Sequence, residues 1–245
     1  MTAAATLATA GRVLRQLRRD PRTLALLLVV PCALQILLKY VLDGQPETFD
    51  RIGGPLLGLF PFITMFLVTS ITMLRERTTG TLERLMPIPI AKLDLLLGYG
   101  IAFGAVAAVQ AALTTTVAFG LLDLSSTGSE LAVVVFAIAN AQLGMSLGLF
   151  VSAFANTEFQ AVQFLPAMVF PQLLLCGLLV PRDQMAPVLE AISNVLPLTY
   201  AYEGLERVTT GPGFDATAAR DLAIVLGVTV LALGVGATTL RRRTG

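Results

Sequence analysis

Six apolar stretches, residues 23–42, 55–74, 95–122, 131–154, 162–180 and 222–240, leave this chain little choice of solvent. A bilayer core about 30 Å thick needs roughly 20 apolar residues in a helix that satisfies its own backbone. The 245-residue chain is 55% hydrophobic and only 13% charged, against about 25% charged in ordinary soluble domains. Too little polar side chain remains to cover a water-soluble bundle. The expected fold is an all-α polytopic membrane domain over residues 1–245, with six transmembrane helices. The third stretch is long enough to tilt or divide, and Pro166 and Pro171 predict a kink in the fifth.

Lysine and arginine set the orientation, because the cytoplasmic connections of membrane proteins carry their excess. With the N-terminus inside, the inner pieces hold twelve cations: Arg12, Arg15, Arg18, Arg19, Arg22, Arg75, Arg77, Arg84, Lys92, Arg241, Arg242 and Arg243. The outer pieces hold five, Lys39, Arg51, Arg182, Arg207 and Arg220. Both termini are expected in the cytoplasm. The first apolar stretch is too long for a signal-peptide core and no small-residue cleavage site follows it, so the N-terminus is expected to stay attached. Arginine outnumbers lysine 15 to 2, which points to a GC-rich genome.

Two segments outside the six stretches are amphipathic. Over 7–20, Ala10, Val13, Leu14 and Leu17 share one helical face, with Arg12, Arg15 and Arg19 opposite and Pro21 beyond. This is the pattern of an interfacial helix with its arginines toward anionic headgroups; an ordinary basic flank is the plainer reading. Over 185–208, Met185, Val188, Leu189, Ile192, Val195 and Leu196 form one stripe, Pro197 interrupts, and Leu198, Ala201, Tyr202 and Leu205 form a second. Neither piece is long enough to span. A re-entrant helical hairpin in the outer leaflet is expected, with an external cap as the alternative.

The chemistry the chain lacks is equally informative. It has no histidine, so a His-ligated metal or a His general base is excluded. Its two lysines sit in "LLKYV" and "IAKLD" with no glycine loop before them, so there is no phosphate-cradling P-loop. Every Asp and Glu falls at or beyond the end of an apolar stretch, leaving no midplane acid for a coupling ion. The net charge of +1 gives no basis for a nucleic-acid partner. Polarity within the spans is neutral: Gln35, Thr64, Gln110, Asn140, Gln142, Gln163 and Gln172 either line a path or form interhelical hydrogen bonds, worth about 1 kcal/mol each. Gly100 and Gly104, and Gly144 and Gly148, are spaced for close helix approach. Cys32 and Cys176 fall inside apolar spans and are expected to be unpaired thiols.

One compact charged segment, "RERTTGTLERLMPIPI" at 75–90, separates the second and third stretches. Gly80 suits an N-cap, Glu83 follows three residues on, and Leu82, Leu85 and Met86 make an apolar face that Pro87 cuts short. A helix over 80–86 is too short to hold its shape alone in water. It needs a partner, and its place in the topology makes that partner a cytoplasmic protein.

This segment resembles the stretch after the second span in permease subunits of ABC-2-type exporters, approximately R-E-x-x-x-G-T-x-E-x-L-x-x-x-P, with Glu76, Gly80, Thr81, Glu83, Leu85 and Pro89 matching. "NVLPLTYAYEGLERV" at 194–208 is similar to the same family's segment before the last span, through Leu196, Pro197, Thr199, Tyr200 and Gly204; Glu206-Arg207 departs from its usual ending. Within that family the chain resembles the daunorubicin-resistance-type drug and lipid permeases most. The resemblance implies a multi-pass protein of the bacterial cell membrane, paired with a second permease subunit in a homo- or heterodimer. It also implies a separately encoded ATPase that binds Mg-ATP, with no cofactor or catalytic residue on this chain. The segment 80–86 would be the coupling helix. Arg75, Glu76, Arg77, Gly80, Thr81, Leu82, Glu83, Arg84, Leu85 and Met86 would contact the ATPase or brace that helix, helped by Arg15 and Arg19. Leu196, Pro197, Thr199, Tyr200 and Tyr202 would belong to an outer gate. The cargo would be amphipathic or apolar: a drug, a lipid or a lipid-linked glycan. A membrane scaffold without transport, or a secondary carrier, is the alternative.

Overall fold

The computed structural model describes residues 3–78, 92–124 and 128–239. Every regular element among them is helical: α1 Ala3–Arg18, α2 Pro21–Val41, α3 Pro46–Thr78, α4 Lys92–Gly120, α5 Glu130–Val151, α6 Glu158–Phe164, α7 Phe170–Leu175, α8 Pro187–Ser193, α9 Pro197–Thr209 and α10 Ala216–Thr239. A π turn, Leu165–Val169, joins α6 to α7, and a 3₁₀ turn, Arg182–Gln184, precedes α8.

Five helices, α2, α3, α4, α5 and α10, are long and apolar enough to cross a bilayer. α3 has 33 residues and spans about 50 Å, far more than the stretch 55–74 requires. Hydropathy marks where the apolar run stops, and here the backbone stays helical beyond it at both ends. The stretch 162–180 is not one helix. Pro166 gives no N–H to the preceding turn and its ring crowds that turn's carbonyl; the chain widens into the π turn, recovers as α7, and leaves helical geometry after Leu175.

Two of the long helices begin on acidic caps. Asp20 accepts the Thr23 hydroxyl at 2.6 Å and the Thr23 backbone N–H at 3.2 Å, bonds that hold its carboxyl below the usual range. Asp215 accepts the Ala218 N–H at 2.8 Å at the start of α10.

The bundle has two distinct ends. At one, Ala10, Val13 and Leu17 of α1 pack with Leu95, Leu96 and Tyr99 at the start of α4, and Ala237 from the end of α10 joins them. At the other, Phe49 of α3, Leu122, Leu124, Val133 of α5, Val208 of α9 and Ala218 of α10 form a second cluster. The apolar face expected to lie in lipid, on a helix over 7–20, therefore belongs to a helix starting at Ala3 and is covered by α4. An apolar stripe looks the same in sequence whether lipid or protein covers it.

Between the ends, α3 and α5 pack backbone against backbone. A Cβ on Gly144 would lie 2.2 Å from the Phe62 carbonyl oxygen, and one on Gly148 would lie 2.4 Å from the Phe66 carbonyl oxygen. The Thr69 hydroxyl, on Met65 O at 2.6 Å within its own helix, also reaches Met145 O of α5 at 3.2 Å. Cys32 and Cys176 are unpaired.

Candidate functional site

The charged residues closing α3 are each tied within the chain. Glu76 is only 4% exposed. Arg12 of α1 donates Nη1 to both its carboxylate oxygens, at 3.1 and 3.3 Å, and donates Nη2 to the Tyr99 hydroxyl of α4 at 2.8 Å. The guanidinium also lies 5.8 Å from the Tyr99 ring centroid, within cation–π range. A buried carboxylate left unpaired is costly; Arg12 supplies the missing charge. Arg75 makes a bidentate pair with Glu158 at the start of α6, at 2.6 and 3.0 Å, and Arg77 donates to the Ser152 carbonyl beyond α5 at 2.6 Å.

One guanidinium thus joins the last turn of α3 to the first turns of α4. These are the two arms from which residues 79–91 depart. The helix expected at 80–86, with Gly80, Thr81, Leu82, Glu83, Arg84, Leu85 and Met86, lies outside the described residues. Arg15 and Arg19 are exposed, and Arg15 donates to Gly11 O of its own helix. Arg12, expected beside them on the headgroup face, instead turns inward. Its long side chain carries the charge from the polar flank of α1 to the buried acid.

At the opposite end, side-chain bonds fasten the stretch from Arg182 to Asn194, which contains α8, to α9. Arg182 donates to the Ser193 hydroxyl at 2.9 Å, to Asn194 and to Glu203. The Thr199 hydroxyl donates to Ser193 O at 2.8 Å and the Tyr200 hydroxyl to Asn194 O at 2.6 Å. Leu196 caps α9 and Pro197 begins it. Tyr202 is buried, with its hydroxyl 3.3 Å from Glu206. Of the two expected stripes only the second is covered: Leu198, Ala201, Tyr202 and Leu205 are buried, while Val188 is 71% and Val195 79% exposed.

The polar span residues face different surroundings. Gln35, Gln110 and Asn140 are fully buried and Gln172 nearly so. Gln35 donates to Gly53 O at 3.3 Å, Gln110 to the Thr64 hydroxyl at 2.9 Å, and Gln172 to Met168 O at 3.0 Å. Gln142 is half-buried beside Gly104, and the exposed Gln163 lines a surface cavity with Phe154, Asn156 and Gln160.

Sequence reasoning missed Arg12 and Tyr99 as partners of Glu76, and Arg182 and Glu203 as the hairpin's clasp. The signal for Arg12 was weak: it is one of five arginines before the first span.

A family model described as ABC-2 type transporter matches residues 5–208. ABC transporter G family member 20 of Dictyostelium discoideum is 26% identical over 160 residues, covering 64% of this chain and 22% of that protein. The probable multidrug ABC transporter permease YbhS of Escherichia coli strain K12 is 24% identical over 180 residues, covering 72% of this chain and 47% of its own. YbhR of the same strain, also named a probable multidrug ABC transporter permease, is 26% identical over 148 residues, covering 59% and 39%. The chain spans less than half the length of each of these relatives.

Proposed function

The chain belongs to the ABC-2 type transporter family, and from that premise we propose that it is the membrane subunit of an ATP-driven exporter, powered by a separate ATPase that docks on residues 80–86. The broken segment α6–α7 is the sixth traverse. Its start pairs with Arg75 at the α1 end, and Cys176 beyond its end packs with Leu198 and Tyr202 of the hairpin. Six traverses return the C-terminus to the side of the N-terminus, as the arginine bias asks. The α1 end is then cytoplasmic and the hairpin re-entrant from outside.

The observation that carries this reading is the Arg12 clasp across the two arms of 79–91. Force applied to that segment by a closing ATPase pair reaches α1, α3 and α4 together through Glu76 and Tyr99. The far-side response is movement of the hairpin, which the Arg182 clasp keeps as one unit. A second permease subunit completes the pathway. The neutral polar residues of the spans favour an amphipathic or apolar cargo, whether drug, lipid or lipid-linked glycan, and relatives named as multidrug permeases agree with that class. Mg-ATP is bound and hydrolysed on the partner.

The test is co-purification in nanodiscs with the candidate ATPase, followed by ATP hydrolysis with and without amphiphiles. A stable complex whose hydrolysis responds to an amphiphile is expected. Absence of a complex from folded protein would return the chain to a scaffold or a secondary carrier. Glu83→Arg is expected to weaken ATPase recruitment about tenfold, roughly 1.4 kcal/mol, with membrane insertion unchanged. Wild-type recruitment by that variant would remove Glu83 from the docking surface.

A further inference from the structure

A cavity of about 190 Å³ opens between α3, α9 and the turn that follows α7, with Arg51, Cys176, Arg182, Tyr202, Glu203 and Glu206 among its walls. At about 30 Å³ per water it has room for some six waters, or for a polar headgroup of similar bulk. Gly177 shapes one wall: its φ of +106° suits glycine, and a Cβ there would sit 3.3 Å from the Tyr202 ring.

Of the four charged residues on the walls of this cavity, Arg182 and Glu203 pair with each other. The other two form no ion pair among the described residues. Glu206 is half-buried, and its carboxylate's bond among the described residues is to the Tyr202 hydroxyl, at 3.3 Å. Arg51, on α3, enters no ion pair among the described residues. A single cavity therefore presents a carboxylate held by the Tyr202 hydroxyl beside an aromatic ring, and a guanidinium that attracts that carboxylate without forming an ion pair with it. Carboxylate plus aromatic ring is ammonium-binding chemistry, and a guanidinium takes phosphate or carboxylate. The site carries no net charge once Arg182 and Glu203 cancel, so its complement is a zwitterion.

We propose that this cavity binds a zwitterionic amphiphile headgroup, with its ammonium at Glu206 and its anionic group at Arg51. The proposal rests on the exporter reading only in placing the cavity on the outer side, next to the hairpin. The headgroup comes either from a bilayer lipid or from the cargo itself.

The test is native mass spectrometry of the delipidated chain in detergent, titrated with dihexanoyl-phosphatidylethanolamine and with dihexanoyl-phosphatidylglycerol, which lacks the ammonium. Phosphatidylethanolamine is expected to be retained about tenfold better, a difference of roughly 1.4 kcal/mol, and Glu206→Gln should remove that preference. The glutamine still accepts from Tyr202, so the variant keeps its local hydrogen bond. Arg51→Gln, at an exposed residue, serves independently if Glu206→Gln fails to fold, and it too should lower phosphatidylethanolamine retention about tenfold. Equal binding of the two lipids, or wild-type retention by both variants, would overturn the site. With an ATPase present, added phosphatidylethanolamine that raises hydrolysis marks the headgroup as cargo; binding without that rise marks a resident lipid. Failure to find any ATPase complex would sink the exporter reading and leave the binding result standing.

Discussion

Glu76→Ala is expected to destabilise the protein by about 3 kcal/mol, because removing one partner of a buried ion pair strands the other charge. The stranded group is Arg12, whose side chain is 29% exposed against 5% for Glu76. It recovers some solvent, which places the loss at the low end of the usual range. Arg12→Ala should be the harsher change, leaving a nearly buried carboxylate without its counter-charge. Replacing both, Arg12→Met with Glu76→Leu, should bring stability back near wild type, since buried pairs exchanged for apolar residues are often neutral or better. Under the coupling proposed above, the double variant should not regain amphiphile-stimulated ATP hydrolysis, because the guanidinium that joined α3 to α4 is gone. Thermal unfolding in detergent gives the first quantity and hydrolysis by the reconstituted complex the second. Single variants within about 0.5 kcal/mol of wild type, the usual range for surface changes, would show that the pair holds nothing together. Full stimulation in the double variant would confine the clasp to stability.

Much of this architecture was legible because the bilayer makes stringent demands on sequence. Long apolar runs located α2, α4, α5 and α10, and Pro166 announced the break now seen as the π turn. The illegible parts are those where two environments leave the same trace. The α1 stripe of Ala10, Val13 and Leu17 fits lipid as well as it fits α4, and only the packing decides. The two hairpin stripes look alike in sequence, yet α9 is buried and Val188 and Val195 stay exposed. The extra turns of α3 are polar at both ends, so hydropathy is blind to them. Partners such as Arg12 and Glu76, 64 residues apart, depend on how helices are brought together, which periodicity within one helix does not report. Of the candidate site, residues 79–90 of the motif lie outside the described residues, and at its start the sequence did not give the direction of one charge: Glu76 turns into the bundle.

The same distinction between pattern and packing makes Gly144→Ala a demanding test. Replacing glycine by alanine inside a helix ordinarily stabilises it by up to about 1 kcal/mol. At Gly144 the new methyl would meet the Phe62 carbonyl oxygen at 2.2 Å and its carbonyl carbon at 2.9 Å. Those atoms are backbone, so no side-chain rotation relieves the overlap; α3 and α5 have to part. The expected outcome is a net loss of about 2–3 kcal/mol, in the range of overpacked cores, and Gly144→Ile should leave little folded protein. Gly227→Ala in α10, where nothing lies within 4 Å of the new methyl, is the matched control and should be neutral or slightly stabilising. Thermal unfolding of the three variants side by side decides the matter, and equal midpoints for Gly144→Ala and Gly227→Ala would show that α3 and α5 are not held at this approach. The loss should be felt nearly in full. Lipid tails are as apolar as leucine, so no hydrophobic force draws the two helices back together once their close contact, and the Thr69 to Met145 bond beside it, has been opened.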